Sequence, residues 1–221
     1  MWNRDNLVVY ESVPQRSELW FQLRAGHLTA SNFDRLVTPK TGRRSAQQED
    51  LILELCASCL RPDEVTFEGN MHTDRGEALE PEARDLFRKM TGLDVMEVGF
   101  VRRQDAPIGC SPDGLIGTCL DDVEAGLEIK CPLSKNHVRY IVDGGLPAKY
   151  RPQVHGSMAV TGLRAWWFLS YCPGLKPHLV RVEWNEYTDI IKDALDVFSS
   201  RYLERYLEVM PLIRPEEGGE Q

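Results

Sequence analysis

Between residues 75 and 91, Leu79, Ala83, Leu86, Phe87 and Met90 return every three or four positions. That is the period of one helix face, and Gly92 stands where such a helix should end. The same period runs through 186–209, where Ile190, Ile191, Ala194, Leu195, Phe198, Tyr202 and Tyr206 predict a long amphipathic helix. Shorter helical patterns cover 46–60, 134–142 and 147–160. Residues 16–37 read as two helical pieces. One covers 17–24; the other is capped by Thr29-Ala30-Ser31, carries Phe33, Leu36 and Val37, and stops at Pro39. Residues 40–45 form a polar, basic loop, and a turn follows at Arg61-Pro62. Strand patterns fall at Val95, Val98, Phe100 and Val101, then at 114–117, at 126–131 with Pro132 as its stop, and at 164–172. Residues 178–184 pair with the last across the Pro173-Gly174 turn. Helices, a compact set of strands, a crossover helix, more strands and a covering helix predict an α/β (α+β) domain. Its mixed sheet has helices on both faces. No composition shift divides the chain: 1–210 is expected to be one domain, and 211–221 a disordered tail.

A chain of 221 residues can bury a sizeable core, and no apolar run approaches the ~20 residues that span a bilayer. The apolar stretch Leu7-Val8-Val9-Tyr10 is too short for a secretory leader, so the expected location is the cytoplasm, with no membrane partner. The cysteines at 56, 59, 110, 119, 131 and 172 show no framework spacing and are expected to be free thiols. Cys56 and Cys59 on one helical face make half a zinc site at best, since no second pair completes it. A net charge of −8 argues against a protein whose whole surface grips nucleic acid, so any contact with it is expected in a local groove or channel. The same carboxylate excess suits an enzyme that holds divalent cations.

The candidate chemistry lies in Gly109-Cys110-Ser111-Pro112-Asp113-Gly114 and in Glu128-Ile129-Lys130. Two residues apart on a strand, Glu128 and Lys130 share a face, while Leu127 and Ile129 take the other. A carboxylate and an ammonium on a short central strand are costly to bury, so folding alone does not favour them. Hairpin pairing would set Asp113 beside Glu128. Phosphodiester hydrolysis needs such a set: hard oxygens for Mg²⁺, which polarises phosphate and acidifies water, and a cation near the attack. The alternative is a structural Glu–Lys pair beside a Pro-Asp-Gly turn.

Ser-Pro-Asp-Gly followed by Leu-Glu-Ile-Lys-Cys-Pro resembles the PD-(D/E)XK nuclease signature, and more narrowly the bacteriophage lambda exonuclease family of YqaJ-type viral recombination nucleases. Three further elements extend the likeness over roughly residues 17–172. They are 23–31, Gly76 with Glu80 and Ala83-Arg84, and Tyr150-Arg151-Pro152-Gln153-Val154 with Ser157-Met158. The resemblance implies a restriction-endonuclease-like core with N-terminal helices and a long C-terminal helix. It implies Asp113, Glu128, the Ile129 carbonyl and Glu80 as ligands of two Mg²⁺ ions, replaceable by Mn²⁺. Lys130 would sit by the attacking water, with Gln153 beside the group. It gives Arg24, Ser31 and Ser111 a terminal 5′-phosphate, which a planar arginine fork and hydroxyl donors suit. Asn136 falls where the family often places an arginine, so Lys135 or Arg139 would have to substitute. The bland readings are a first-turn helix acid for Glu80 and a helix cap for Ser31. Arg43 and Arg44 are either single-strand contacts or a solvated loop. Met71-His72-Thr73 would lie before the helix, near strand separation, and differ from the expected apolar wedge. No role falls to His155, and Trp166 and Trp167 read as packing residues.

The implied activity is a 5′→3′ exonuclease on double-stranded DNA ends that leaves 3′ tails. With it come a homotrimeric ring, a single-strand annealing recombinase as partner, and a phage or prophage origin in a bacterial cell. A restriction-like or structure-specific endonuclease on the same fold, and a non-catalytic DNA-end loading subunit, are the alternatives.

Overall fold

A computed structural model describes residues 2–62 and 71–215, with 71–74 as backbone alone. Its strands are Leu7–Tyr10 (β1), Leu28–Thr29 (β2), Val95–Met96 (β3), Phe100–Arg103 (β4), Ile108–Cys110 (β5), Gly114–Ile116 (β6), Ala125–Lys130 (β7), Ala165–Ser170 (β8) and His178–Glu183 (β9). Its α-helices are Glu18–Arg24 (α1), Gln48–Leu60 (α2), Met71–Thr91 (α3), Ser134–Asp143 (α4), Arg151–Thr161 (α5) and Glu186–Ile213 (α6).

The expected mixed α/β architecture is present, but as two mixed sheets among the described residues rather than one. The first runs β1-β4-β5-β2 and the second β3-β6-β7-β8-β9. β2–β5 and β7–β8 are parallel pairs; the other pairs are antiparallel. The chain passes between the sheets three times, from β2 to β3, from β3 to β4 and from β5 to β6. The single strand expected around 95–101 is two, because Gly99 lies against the Val13 carbonyl and β4 leaves to pair with β1. Residues 111–113 then carry the chain from β5 back to β6.

β7 is buried along its length except at Lys130. Leu127 and Ile129 join Ala83 and Phe87 of α3 in one core. On the other face Gly126 and Glu128 lie in register with Trp166 and Phe168, which belong to the larger core with Val154 and Met158 of α5. A Cβ at position 126 would meet the Trp166 ring at 2.4 Å, so only glycine lets that ring cross the strand. Likewise a Cβ at 156 would meet Phe33 at 2.0 Å; Gly156 lets α5 press onto the N-terminal segment. Trp166 is fully buried and Trp167 meets Phe87 edge-on at 5.7 Å, in keeping with packing roles.

Several local expectations change. The second N-terminal helix is a 3-10 helix, Ala30–Arg35, preceded by the strand β2, because buried Leu28 pairs with Ile108 and holds the chain extended. α3 begins at Met71, so Met71-His72-Thr73 lie within the helix rather than before it; their side chains are outside the described residues. α6, opened by a capping box at Asn185 and Thr188, runs through Pro211 to Ile213. The first three residues of the expected tail are therefore helical, and 216–221 lie outside the described residues. All six cysteines are free. No helix among the described residues is long and apolar enough to cross a membrane.

One buried group makes stability pH-dependent. His155 Nδ1 meets the Thr188 hydroxyl at 2.7 Å inside the α5–α6 contact. Burial, and then repulsion from Arg151, push its pKa down to about 4. The neutral ring is the folded form, so its stabilisation is complete above the ordinary histidine value and is lost as pH falls from about 6.5 towards 4. After discounting for solvent screening, the loss should be on the order of 2 kcal/mol. Urea midpoints at pH 7 and 4.5 test this; a His155→Gln protein with an equally steep acid decline would remove His155 as the cause.

Candidate active site

The hairpin β6–β7 brings the predicted carboxylates together as expected. The Asp113 N–H donates to the Leu127 carbonyl at 3.0 Å, and Asp113 Oδ2 accepts the Ile129 N–H at 2.6 Å. Glu128, 1% exposed, pairs with the Lys130 ammonium, and its Oε1 accepts from Gln153 Nε2 at 2.6 Å. Gln153 reaches it because α5 packs across the face of the sheet to which Glu128 points.

Glu80 arrives from α3. With that helix starting at Met71, Glu80 lies ten residues in, too far along to complement the N-terminal dipole as a first-turn acid would. Its Oε1 accepts from Arg84 Nη2 at 2.6 Å, and its Oε2 lies 3.7 Å from Arg16.

The charges on these groups oppose one another. Burial pushes the Glu128 carboxyl up to about 8; Lys130 works against the rise, and Asp113 and Glu80 add to it. Burial also raises Asp113, against the pull of Lys130 and the Ile129 N–H. Glu80 is raised by burial and by Asp113, against Arg84 and Arg16. Burial disfavours the Lys130 ammonium, yet Glu128 and Asp113 outweigh it and hold its pKa above the ordinary lysine value. Glu128 and Asp113 thus favour the ammonium form of Lys130.

Asp113, Glu80, Ile129 and Lys130 line a cleft of about 360 Å³ that also takes in Trp20, Arg24, Ser31, Ser111 and Tyr150. Arg24 Nη1 donates to Ser111 Oγ at 3.0 Å; Nη2 donates to Thr29 Oγ1 at 3.1 Å and lies 3.5 Å from Ser31 Oγ. The guanidinium stacks on Trp20, 4.0 Å from the ring centroid. Burial lowers the Arg24 pKa to about 10, still a cation at neutral pH. Thr29 and Ser31 do not behave as caps. No side-chain bond caps the 3-10 helix; instead the two hydroxyls meet each other at 3.1 Å and face Arg24. A cation ringed by three hydroxyls has the donor chemistry of an anion receptor.

Lys135, Arg139 and Asn136 are exposed on α4 and do not line this cleft; Arg139 and Asn136 border a separate hollow. Arg43 and Arg44 also lie away from it, beside the Val37–Arg44 bridge. The sequence assigns no role to Gln15, Arg16 or Trp20, and Arg84 stands in it only as part of a motif. Gln15 Nε2 donates to the Val98 and Pro112 carbonyls at 3.0 and 2.8 Å, holding the backbone just before Asp113. Arg16 has a left-handed backbone, φ 67°, unusual for a residue with a Cβ.

Asp113, Glu80, Glu128 and the Ile129 carbonyl offer the hard oxygens that Mg²⁺ prefers, and mutual repulsion among the three carboxylates is what a divalent cation would relieve. On donor chemistry the residues fit such an ion. Among the described residues no three His, Cys, Asp or Glu side chains are set around a common point; Lys130 and Gln153 engage Glu128, and Arg84 and Arg16 engage Glu80.

The alkaline exonuclease LHK-Exo of Laribacter hongkongensis is 30% identical, with 89% of this chain and 96% of that chain covered and a TM-score of 0.72. LHK-Exo in complex with dAMP matches at 28% identity, 89% and 100% coverage and a TM-score of 0.69. A phage-related exonuclease from Haemophilus somnus 129PT, 16% identical over 83% of this chain and 96% of that one, shares the fold with a TM-score of 0.59. Nothing among the curated proteins matches. The model of the YqaJ-like viral recombinase domain matches residues 19–164, and the chain belongs to that family.

Proposed function

We propose that the protein is a Mg²⁺-dependent exonuclease that degrades double-stranded DNA ends 5′→3′, releases mononucleotides and leaves 3′ tails for strand annealing. The observation that carries this reading is the shared cleft: the receptor at Arg24 opens into the same space as Asp113, Glu80 and Lys130. A receptor for a terminal phosphate beside a hydrolytic centre describes an enzyme that works from an end. The likeness to LHK-Exo, which has a structure in complex with dAMP, supports release of single nucleotides.

Asp113, Glu128, Glu80 and the Ile129 carbonyl would hold the metal, one ion or two, with Mn²⁺ able to replace Mg²⁺. When bound, the metal supplies Lewis acidity towards the phosphate and acidifies water. Lys130 holds its proton and offers a positive charge to the attacking water and to the oxygens on which charge grows. Gln153 fixes the Glu128 carboxylate. Arg24, Ser31 and Ser111 grip the 5′-phosphate; the Trp20 ring lies 4.0 Å from the guanidinium and supports it. In this reading Lys135 and Arg139 act outside the pocket, on flanking DNA. A homotrimeric ring would let a chain of net charge −8 enclose duplex with only its channel basic. The tail would pass to a single-strand annealing recombinase, in the cytoplasm of a bacterial cell carrying the phage genes.

Linear duplex labelled at one end or the other tests the polarity. With Mg²⁺, the 5′ label should leave first while the 3′ label persists on a lengthening single strand. Covalently closed circular duplex should survive. Early loss of the 3′ label sinks the polarity, and cutting of circles favours an endonuclease.

A further inference from the structure

Arg84 lies on α3 one turn after Glu80, and its residue is 6% exposed. Each guanidinium nitrogen has a different partner. Nε donates to the backbone carbonyl of Asp113 at 3.0 Å, Nη2 to Glu80 Oε1 at 2.6 Å, and Nη1 lies 3.0 Å from Glu97 Oε2. One rigid plane therefore joins a side chain on the helix to the backbone that carries Asp113 on the sheet. A planar fork fixes two partners relative to each other, which a point charge on a flexible stem cannot do. Glu97 is mostly exposed and keeps the third nitrogen occupied from the solvent side. An ordinary helix-surface pair four residues apart would need neither the burial nor the bond to Asp113.

We infer that Arg84 is a positioning residue: it sets the Glu80 carboxylate against Asp113 so that the two can share a divalent cation. This rests on the proposed metal-dependent hydrolysis. Arg84 touches no reacting atom in this role and acts through Glu80 and the Asp113 backbone.

The test is Arg84→Lys, which keeps the charge and loses the fork. Mn²⁺ binding to the DNA-free protein is measured by calorimetry, Mg²⁺ dependence by nucleotide release, and folding by thermal melting. The Lys130–Glu128 pair is untouched by this change. The variant should melt within a few degrees of the parent, bind Mn²⁺ about tenfold more weakly, and need about tenfold more Mg²⁺ for half-maximal rate. Its rate at saturating Mg²⁺ should return to within about threefold. Unchanged Mn²⁺ affinity in a folded Arg84→Lys protein overturns the inference. So does a rate deficit that excess Mg²⁺ leaves in place. If Arg84→Lys fails to fold, Glu80→Gln in the parent background decides. Mn²⁺ affinity equal to the parent's would show that there is nothing at Glu80 to position. Absence of Mn²⁺ binding in the parent itself would instead bring down the metal-dependent reading.

Discussion

Asp113→Ala should release nucleotides from linear duplex roughly 10³-fold more slowly than the parent, a loss of several kcal/mol of transition-state stabilisation. The position is exacting. Asp113 is fixed by its own N–H to Leu127, by its carbonyl from Arg84, and by its carboxylate from Ile129. Removing the carboxylate leaves the Ile129 N–H without that acceptor, at a cost of about 1 kcal/mol. It also removes a repulsion felt by Glu128 and Glu80. These terms oppose each other, so the variant should fold with nearly unchanged stability. Activity and melting measured on one preparation separate the two effects. Equal nucleotide release by variant and parent would falsify the assigned site.

The second large effect is expected at Arg24. Charge-assisted hydrogen bonds to a phosphate contribute about 1.5–3 kcal/mol, so Arg24→Ala should lose roughly 10- to 100-fold in kcat/KM on 5′-phosphorylated ends. On 5′-hydroxyl ends the loss should be several-fold smaller, since the missing partner is absent there already. Initial rates on the two substrates, compared for parent and variant, give the answer. An equal loss on both ends would mean that Arg24 supports the fold around Trp20 and Ser111 rather than reading the phosphate.

Much of this was legible in the sequence, and the reason is local. β7 alternates Leu127, Glu128, Ile129 and Lys130, and a period of two assigns faces without knowledge of the partners. α3, α6 and the β8–β9 hairpin are long enough for their periodicity to show. β5 was not legible: Ile108-Gly109-Cys110 is three residues, all buried, with no alternation to detect. β2, two buried residues, escaped for the same reason; β1, four half-buried residues in the run Leu-Val-Val-Tyr, shows no alternation either, and with them went the first sheet. Within the site, Asp113, Glu128 and Lys130 could be found because they are close in sequence once the hairpin forms. Gln15 and Arg16 could not. Their roles depend on a loop folded against residues about 60 to 100 positions away, including Val98, Pro112 and Glu80. Arg84 stood in view as part of a motif, yet nothing in its spacing disclosed that one of its bonds ends on the backbone of Asp113.

The three-residue passage from β5 to β6 has a mechanical consequence. Ser111, bonded to Arg24, and Asp113, bonded to Ile129, are its two ends. Two residues of extended chain span only about 7 Å. If the first end grips the terminal phosphate and the second serves hydrolysis, a covalent calliper joins the grip to the cut. Its jaws cannot open independently of the sheets that hold them, so each advance along the DNA would be gauged by the same short piece of backbone.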